Sequence, residues 1–200
     1  IDGGVGINAL KAGNVANTWN VTGPRAGTVT GVVGGYSNID NLNGGSGADT
    51  FTLSDGVVVA GAIDGGAGAD TLDLSAYTTN RNVVVPGSGA NGFSGTEGSV
   101  AGDFANIDAV TAPASTVNGL QGENLPNVWT ISGTNSGTLN TGGNILAFAN
   151  FNTLTGGSDT DTFNFVGTAV LNGQVDGGSG SDTLDLSGYV TPVSVSPTGV

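Results

Sequence analysis

Four aspartates in matching surroundings are the residues of this chain whose type and spacing best suit chemistry. A 21-residue step separates Asp49 from Asp70, and the same step separates Asp161 from Asp182. Each follows a glycine-rich stretch and precedes a large apolar residue by two positions, in the pattern G-G-x-G-x-D-x-Φ, where Φ is apolar. Stacked carboxylates repel each other unless a cation lies between them or one of them carries a proton. The arrangement therefore indicates a site for a hard cation that binds oxygen atoms.

The same 21-residue step also governs the apolar residues around the aspartates. Shifting the chain by this step places Phe51 on Leu72. A degenerate third copy beginning at Pro86 keeps this register, so we expect Asn91 and Phe93 to continue the columns of the aspartates and of the apolar residues. A short fixed period indicates one structural unit that is stacked on copies of itself.

The local pattern around each motif predicts a β-strand. The phrase D-T-F-T-L-S alternates apolar and polar residues and is bounded by glycines, and 38 glycines in 200 residues argue against long helices. We therefore predict an all-β chain that forms a parallel β-solenoid (β-helix), with coils of about 21 residues and longer coils inserted. Each coil would advance roughly 4.8 Å along the axis. Stacking is expected to bury Trp19, Phe51, Leu72 and Phe93 in one inner column.

A longer repeat of about 110 residues contains the shorter one, and it aligns Trp19 with Trp129. It predicts a first super-repeat over residues 1–111 and a second over residues 112–200, joined in one continuous stack. The opening phrase I-D-G-G-V-G resembles the phrase I-D-G-G-A-G farther along. We therefore expect the chain to begin inside a pattern that belongs to something longer.

Composition limits the partners that this chain can bind. Three basic residues oppose sixteen acidic ones, for a formal net charge of −13. A chain this acidic gains no counterion release from a phosphate backbone, which excludes nucleic acid as a partner. Anionic membranes should repel it, and its apolar runs are too short for membrane insertion. The chain has no cysteine and therefore no disulfide framework.

The glycine-rich motifs resemble the calcium-binding repeats of RTX (haemolysin-type) secreted proteins. Three stretches match the nonapeptide G-G-x-G-x-D-x-Φ-x in full, and a fourth carries Asp159 in place of one glycine. The resemblance implies that aspartate side chains and turn carbonyls hold Ca²⁺ while the apolar residue fills the core. Transferred to the matching positions, it implies calcium ligands at Asp49, Asp70, Asp161, Asp182, Gly45, Gly47, Gly66, Gly68, Gly178 and Gly180. This chain departs from the family in having one motif per coil instead of direct tandem copies, so at most one edge would bind metal.

A corner turn without metal is the alternative interpretation of the same motif. In such a corner the aspartate accepts backbone N–H bonds, and a neutral amide can take its place. Asn17, Asn91 and Asn127 stand at the equivalent position in weaker copies of the motif, which favours this alternative. The residues alone leave both interpretations open.

The phrases that connect the motifs, such as N-T-W-N-V-T-G and S-N-I-D-N-L-N-G-G, resemble repeats of very large bacterial surface and secreted proteins of the adhesin or filamentous-haemagglutinin type. The resemblance implies an extracellular structural role as a filament, stalk or adhesin shaft. Its partners would be neighbouring repeats, further copies joined end to end or laterally, and a carbohydrate or other cell-surface ligand. The alternative is an RTX-like module that folds or becomes rigid on binding calcium after secretion. We expect no enzyme, because the aspartates follow a periodic rule and the chain has no histidine.

Overall fold

The computed structural model describes residues 1–190, and over these residues the chain is all-β. The strands, numbered in chain order, are β1 Ala9–Lys11, β2 Thr18–Gly23, β3 Ala26–Val29, β4 Asn41–Asn43, β5 Thr50–Leu53, β6 Ile63–Asp64, β7 Thr71–Asp73, β8 Asn82–Gly89, β9 Gly92–Glu97, β10 Val100–Ile107, β11 Ala109–Thr111, β12 Gly119–Gln121, β13 Asn127–Gly133, β14 Ser136–Thr141, β15 Asn144–Ala149, β16 Thr153–Gly157, β17 Thr162–Phe165, β18 Gln174–Gly178 and β19 Thr183–Asp185. In this part of the chain, no helix has the length and apolar character needed to cross a membrane. The last ten residues of the predicted second super-repeat, 191–200, lie outside the described residues.

The strands form two large mixed sheets that share one apolar core. The nine-stranded sheet has the order β1-β4-β6-β10-β9-β8-β12-β16-β18. The ten-stranded sheet has the order β19-β17-β13-β14-β15-β11-β7-β5-β2-β3. Burial alternates along strands such as β2 and β5, so each presents one face to the core. Apolar side chains from both sheets belong to the same buried cluster.

Parallel pairing follows the 21-residue step where the step is regular. In the ten-stranded sheet Phe51 pairs with Leu72, one step of 21 residues later. Trp19 pairs with Phe51 in the same way, although a longer stretch of chain separates these two residues. All three side chains are fully buried. Each contributes roughly 1.5–3 kcal/mol relative to an exposed position. The predicted column is thus confirmed for these three residues.

The predicted continuation of this column at Phe93 is wrong. Phe93 lies on β9 in the nine-stranded sheet, where it pairs with Ser88 and Ile107. The place next to Leu72 is taken by Val110 of β11. The reason is that β8, β9 and β10 form an antiparallel meander, which carries the chain through an extra excursion before it returns to the column.

The second copy repeats the aromatic packing of the first. Trp19 stacks on Phe51 with ring centroids 5.4 Å apart and meets Tyr36 edge-on at 5.9 Å. Trp129 stacks on Phe163 at 5.6 Å and meets Phe148 edge-on at 5.9 Å. In both copies the strand that carries the tryptophan pairs antiparallel with the strand that follows it, β2 with β3 and β13 with β14.

Candidate metal centre at the aspartate corners

The predicted aspartates lie at the corners where the chain enters the inner strands of the ten-stranded sheet. Asp49 precedes β5, Asp70 precedes β7 and Asp161 precedes β17, and all three are fully buried. Asp182 precedes β19 and is exposed. Because Asp49, Asp70 and Asp161 each share strand parity with the core residue two positions later, their carboxylates turn inward.

Each predicted aspartate accepts a backbone hydrogen bond from the residue at the equivalent position of the preceding motif copy. The Asn17 N–H donates to Oδ1 of Asp49 at 2.8 Å, and the Asp49 N–H donates to Oδ1 of Asp70 at 2.8 Å. The Asp70 N–H donates in turn to Oδ2 of Asp108 at 2.8 Å. We call Asn17, Asp49, Asp70 and Asp108 the first ladder. In the first ladder the carboxylates accept backbone N–H hydrogen bonds, as the alternative of a corner turn without metal predicts.

The second ladder is shorter and consists of Asn127, Asp161 and Asp182. The Asn127 N–H donates to Oδ1 of Asp161 at 2.9 Å, and the Asp161 N–H donates to Oδ1 of Asp182 at 3.0 Å. The structure therefore brings each predicted pair of aspartates together, but it keeps the two pairs in separate ladders.

The 21-residue step predicts Asn91 after Asp70 in the column of aspartates, but the structure places Asp108 there instead. Asn91 lies at an exposed turn between β8 and β9. A signal for Asp108 does exist in the sequence. The phrase F-A-N-I-D at 104–108 matches Y-S-N-I-D at 36–40, and both phrases precede a new coil.

The second carboxylate oxygen sets the buried aspartates apart from the asparagines. The Oδ2 atoms of Asp49, Asp70 and Asp161 are buried and have no hydrogen-bond partner among the described residues. At the same corner, Nδ2 of Asn17 donates to the Gly13 carbonyl at 2.9 Å, and Nδ2 of Asn127 donates to the Glu123 carbonyl at 2.9 Å.

The asparagines show that these corners are lined by carbonyl acceptors four residues before the Asx position. Where asparagine places its Nδ2 donor, aspartate places Oδ2, which is an acceptor and cannot hydrogen bond to a carbonyl oxygen. A proton on Oδ2, or a cation between Oδ2 and the carbonyl oxygen, would remove this mismatch between two acceptors.

Glycine is required next to each carboxylate for reasons of space. A Cβ on Gly44 would lie less than 3.0 Å from Oδ2 of Asp49 and from the Gly65 carbonyl oxygen. A Cβ on Gly66, whose φ is +96°, would clash with the backbone of Gly45 in the preceding motif copy. The glycines of the motif thus have a stacking role that holds with or without metal.

Burial raises the pKa of two of these carboxyl groups, Asp70 and Asp161. The pKa of Asp70 is raised to about 6, chiefly by desolvation and also by the nearby carboxylates of Asp49, Asp108 and Asp64, while the hydrogen bond from the Asp49 N–H acts in the opposite direction. Desolvation also raises the pKa of Asp161, against the hydrogen bonds from Asn127. Both shifts mark sites where a bare negative charge is costly.

The corners fit a calcium ion in the kind of donor they offer, since unpartnered carboxylate oxygens and turn carbonyls are hard oxygen ligands. The carboxylates alone do not make a cage. Across residues 1–190, no three acidic, histidine or cysteine side chains converge in a way that would hold a metal ion. Calcium at Asp49, Asp70 or Asp161 would therefore take most of its six to eight ligands from main-chain carbonyls and water.

No protein-family model, no curated protein and no solved structure matches this chain. Its function is therefore inferred from the geometry of the two ladders and of the sheets that carry them.

Proposed function

We propose that the two sheets are faces of a parallel β-solenoid and that the chain is a structural repeat of a long extracellular or cell-surface protein, a filament, stalk or adhesin shaft. The observation that carries this proposal is the parallel pairing of residues at equivalent positions of the motif, Phe51 with Leu72 at the 21-residue step and Trp19 with Phe51 across a longer interval. Stacking of equivalent side chains allows a chain to be lengthened without a new core being designed for each addition.

A shaft needs cohesion between successive coils, and three kinds of contact supply it here. Parallel strands share backbone hydrogen bonds, the aromatic stacks of Trp19 and Trp129 join neighbouring coils, and the two ladders bind one corner to the next. No coil buries its apolar face alone, so stability comes from the interfaces between coils. In this proposal the aspartates are structural and the chain is not an enzyme.

The solenoid is tested by the shape of the chain in solution. Small-angle X-ray scattering should give an elongated particle of constant cross-section. A chain with an added copy of residues 1–111 should lengthen by roughly 4.8 Å for each added coil. A particle that grows equally in all directions contradicts the solenoid.

The cellular role is tested separately. Antibodies against the purified chain should label intact cells that produce the protein or the medium around them. Labelling that requires permeabilised cells contradicts an extracellular shaft.

A calcium-binding module that becomes rigid after secretion is the second candidate, and the unpartnered Oδ2 atoms of Asp49, Asp70 and Asp161 favour it. Calcium should then raise the unfolding midpoint at pH 7 in proportion to the logarithm of its concentration, with EDTA as the control. Proton competition should weaken the effect at pH 5, because the pKa of Asp70 is about 6. Equal unfolding midpoints in calcium and in EDTA would rule this candidate out.

A further inference from the structure

A cleft of about 430 Å³ opens on the surface of the first copy, away from the ladders. Three turns form it: the turn after β5, the turn after β7 and the turn between β9 and β10. Its lining includes Asp55, Val57, Val58, Tyr77, Thr78 and Arg81. The volume falls within the range of small-molecule sites, about 300–1,000 Å³.

Three polar residues of the cleft, Asp55, Thr78 and Arg81, break the repeat that governs the rest of the chain. In the alignment that places Tyr77 on Tyr189, the second copy has an apolar residue or glycine at each of these three positions. Asp55 is replaced by Gly167, Thr78 by Val190 and Arg81 by Val193, the last of which lies outside the described residues. Residues needed only for stacking should recur with the period. These do not, so their presence calls for a different reason.

One wall of the cleft is held by a buried ion pair. Arg81 lies 3.2 Å from Glu97, which is 5% exposed, and its guanidinium carbon lies 4.4 Å from the centre of the Tyr77 ring. Arg81 also donates to Oγ1 of Thr79 at 2.8 Å, and the Ser99 N–H donates to Glu97 at 2.7 Å. These contacts neutralise the two charges and fix the wall before any ligand arrives.

Asp55 is the free carboxylate at the rim. It is exposed, and each of its oxygens accepts one hydrogen bond from Thr78, from the N–H at 3.1 Å and from Oγ1 at 3.0 Å. A carboxylate has about four lone-pair sites, so two acceptor positions remain. Val58, 45% exposed, supplies an apolar surface beside them.

We propose that this cleft binds a neutral sugar of one or two rings, with Asp55 accepting hydrogen bonds from a pair of hydroxyl groups and Val58 contacting the C–H face. An anion fits poorly, because Arg81 is already neutralised by Glu97 in a chain of net charge −13. A divalent cation fits poorly, because the described residues that line the cleft offer no carboxylate besides Asp55. The inference is independent of the shaft and of calcium, since it uses none of the ladder residues.

The test is a titration of the full 200-residue chain, monitored through its backbone amide NMR signals. The probes are glucose, galactose, mannose, N-acetylglucosamine and their common disaccharides. At least one probe should shift the signals of Val57, Val58, Thr78 and Thr79 with saturation. The Asp55→Ala variant should bind that probe at least tenfold more weakly. The Thr78→Val variant, which copies the second repeat, should bind more weakly than the parent.

Asp185→Ala is the matched control, because Asp185 also caps a turn through a backbone N–H but lies outside the cleft. It should bind the probe like the parent chain. The proposal is overturned if no probe of the panel shifts the cleft signals, if the shifts lie elsewhere, or if Asp55→Ala binds as tightly as Asp185→Ala. The calcium titration described above is unaffected by any of these results.

Discussion

The two ladders carry the same motif but hold their carboxylates in different surroundings. In the first ladder Asp70 has a carboxylate on each side, Asp49 and Asp108, and is fully buried. In the second ladder Asp161 lies between the neutral Asn127 and the exposed Asp182. The motif determines which atoms of each aspartate form hydrogen bonds. The charges of the adjacent ladder residues determine how unfavourable a negative charge on that aspartate is.

The largest expected difference concerns the apolar column beside the ladders. Leu72 is fully buried, whereas its equivalent in the second copy, Leu184, is 48% exposed. We expect Leu72→Ala to lower the free energy of unfolding by about 3 kcal/mol, through lost burial and a cavity. Leu184→Ala should cost less than about 1 kcal/mol. Urea unfolding followed by circular dichroism measures both, and equal losses would contradict the different burial of the two copies.

A second comparison uses the glycines that face the carboxylates. A Cβ on Gly65 would strike the Asn106 carbonyl oxygen as well as Asp70, while a Cβ on Gly177 would meet side-chain atoms of Asp182. Backbone cannot move aside as an exposed side chain can. Gly65→Ala should therefore cost about 3 kcal/mol and Gly177→Ala about 1 kcal/mol.

The matched control for both glycine variants is Gly87→Ala, because a Cβ there meets no atom within 4 Å. Its unfolding midpoint should stay close to that of the parent chain. If Gly177→Ala destabilises the chain as much as Gly65→Ala, the corner of Asp182 is as tightly packed as that of Asp70.

The smallest expected effect is electrostatic. The folded-state pKa of Asp70 is about 6, above its ordinary value of 3.8. The folded chain therefore binds this proton more tightly than the unfolded chain does. In the absence of calcium, the contribution of Asp70 to stability should improve as the pH falls from 7 to about 4.

Asp70→Asn should remove that pH dependence and stabilise the chain at pH 7 by about 1–2 kcal/mol. Asp182→Asn, at the exposed corner, should change stability by less than about 0.5 kcal/mol. Thermal unfolding between pH 4 and pH 7 distinguishes the two variants. If Asp70→Asn is less stable than the parent chain in EDTA at pH 7, the buried carboxylate is not a source of repulsion.

The regular part of the fold could be predicted because residues that are one 21-residue step apart in the sequence lie side by side on neighbouring strands. Phe51 and Leu72 are 21 residues apart and pair on neighbouring parallel strands, so their pairing follows from counting. The position of Val110 could not be counted, because the meander before it has antiparallel strands and no fixed period. The place of Asp108 in the first ladder, two residues before Val110 in the sequence, could not be predicted for the same reason.

The candidate sites were predictable to different degrees. The inward direction of the Asp49 side chain follows from strand parity. That its Oδ2 has no hydrogen-bond partner could not be predicted, because this depends on where the carbonyls of neighbouring turns lie in three dimensions. The cleft at Asp55 joins three turns that are distant in sequence, and no local pattern in the chain connects Asp55, Arg81 and Glu97.

The two meanders, β8-β9-β10 and β13-β14-β15, each have three strands, and this odd number governs how such a chain can grow. The first and third strands of a three-strand detour point the same way, and each of them pairs in parallel with the regular strand next to it. A two-strand detour between two such regular strands would give one of them an antiparallel neighbour. The pair β2 and β3 avoids this, because β3 lies at the edge of its sheet. An inserted meander inside either sheet should therefore keep parallel pairing on both of its sides when it has three strands, whereas a two-strand insertion is compatible with this pairing only at a sheet edge.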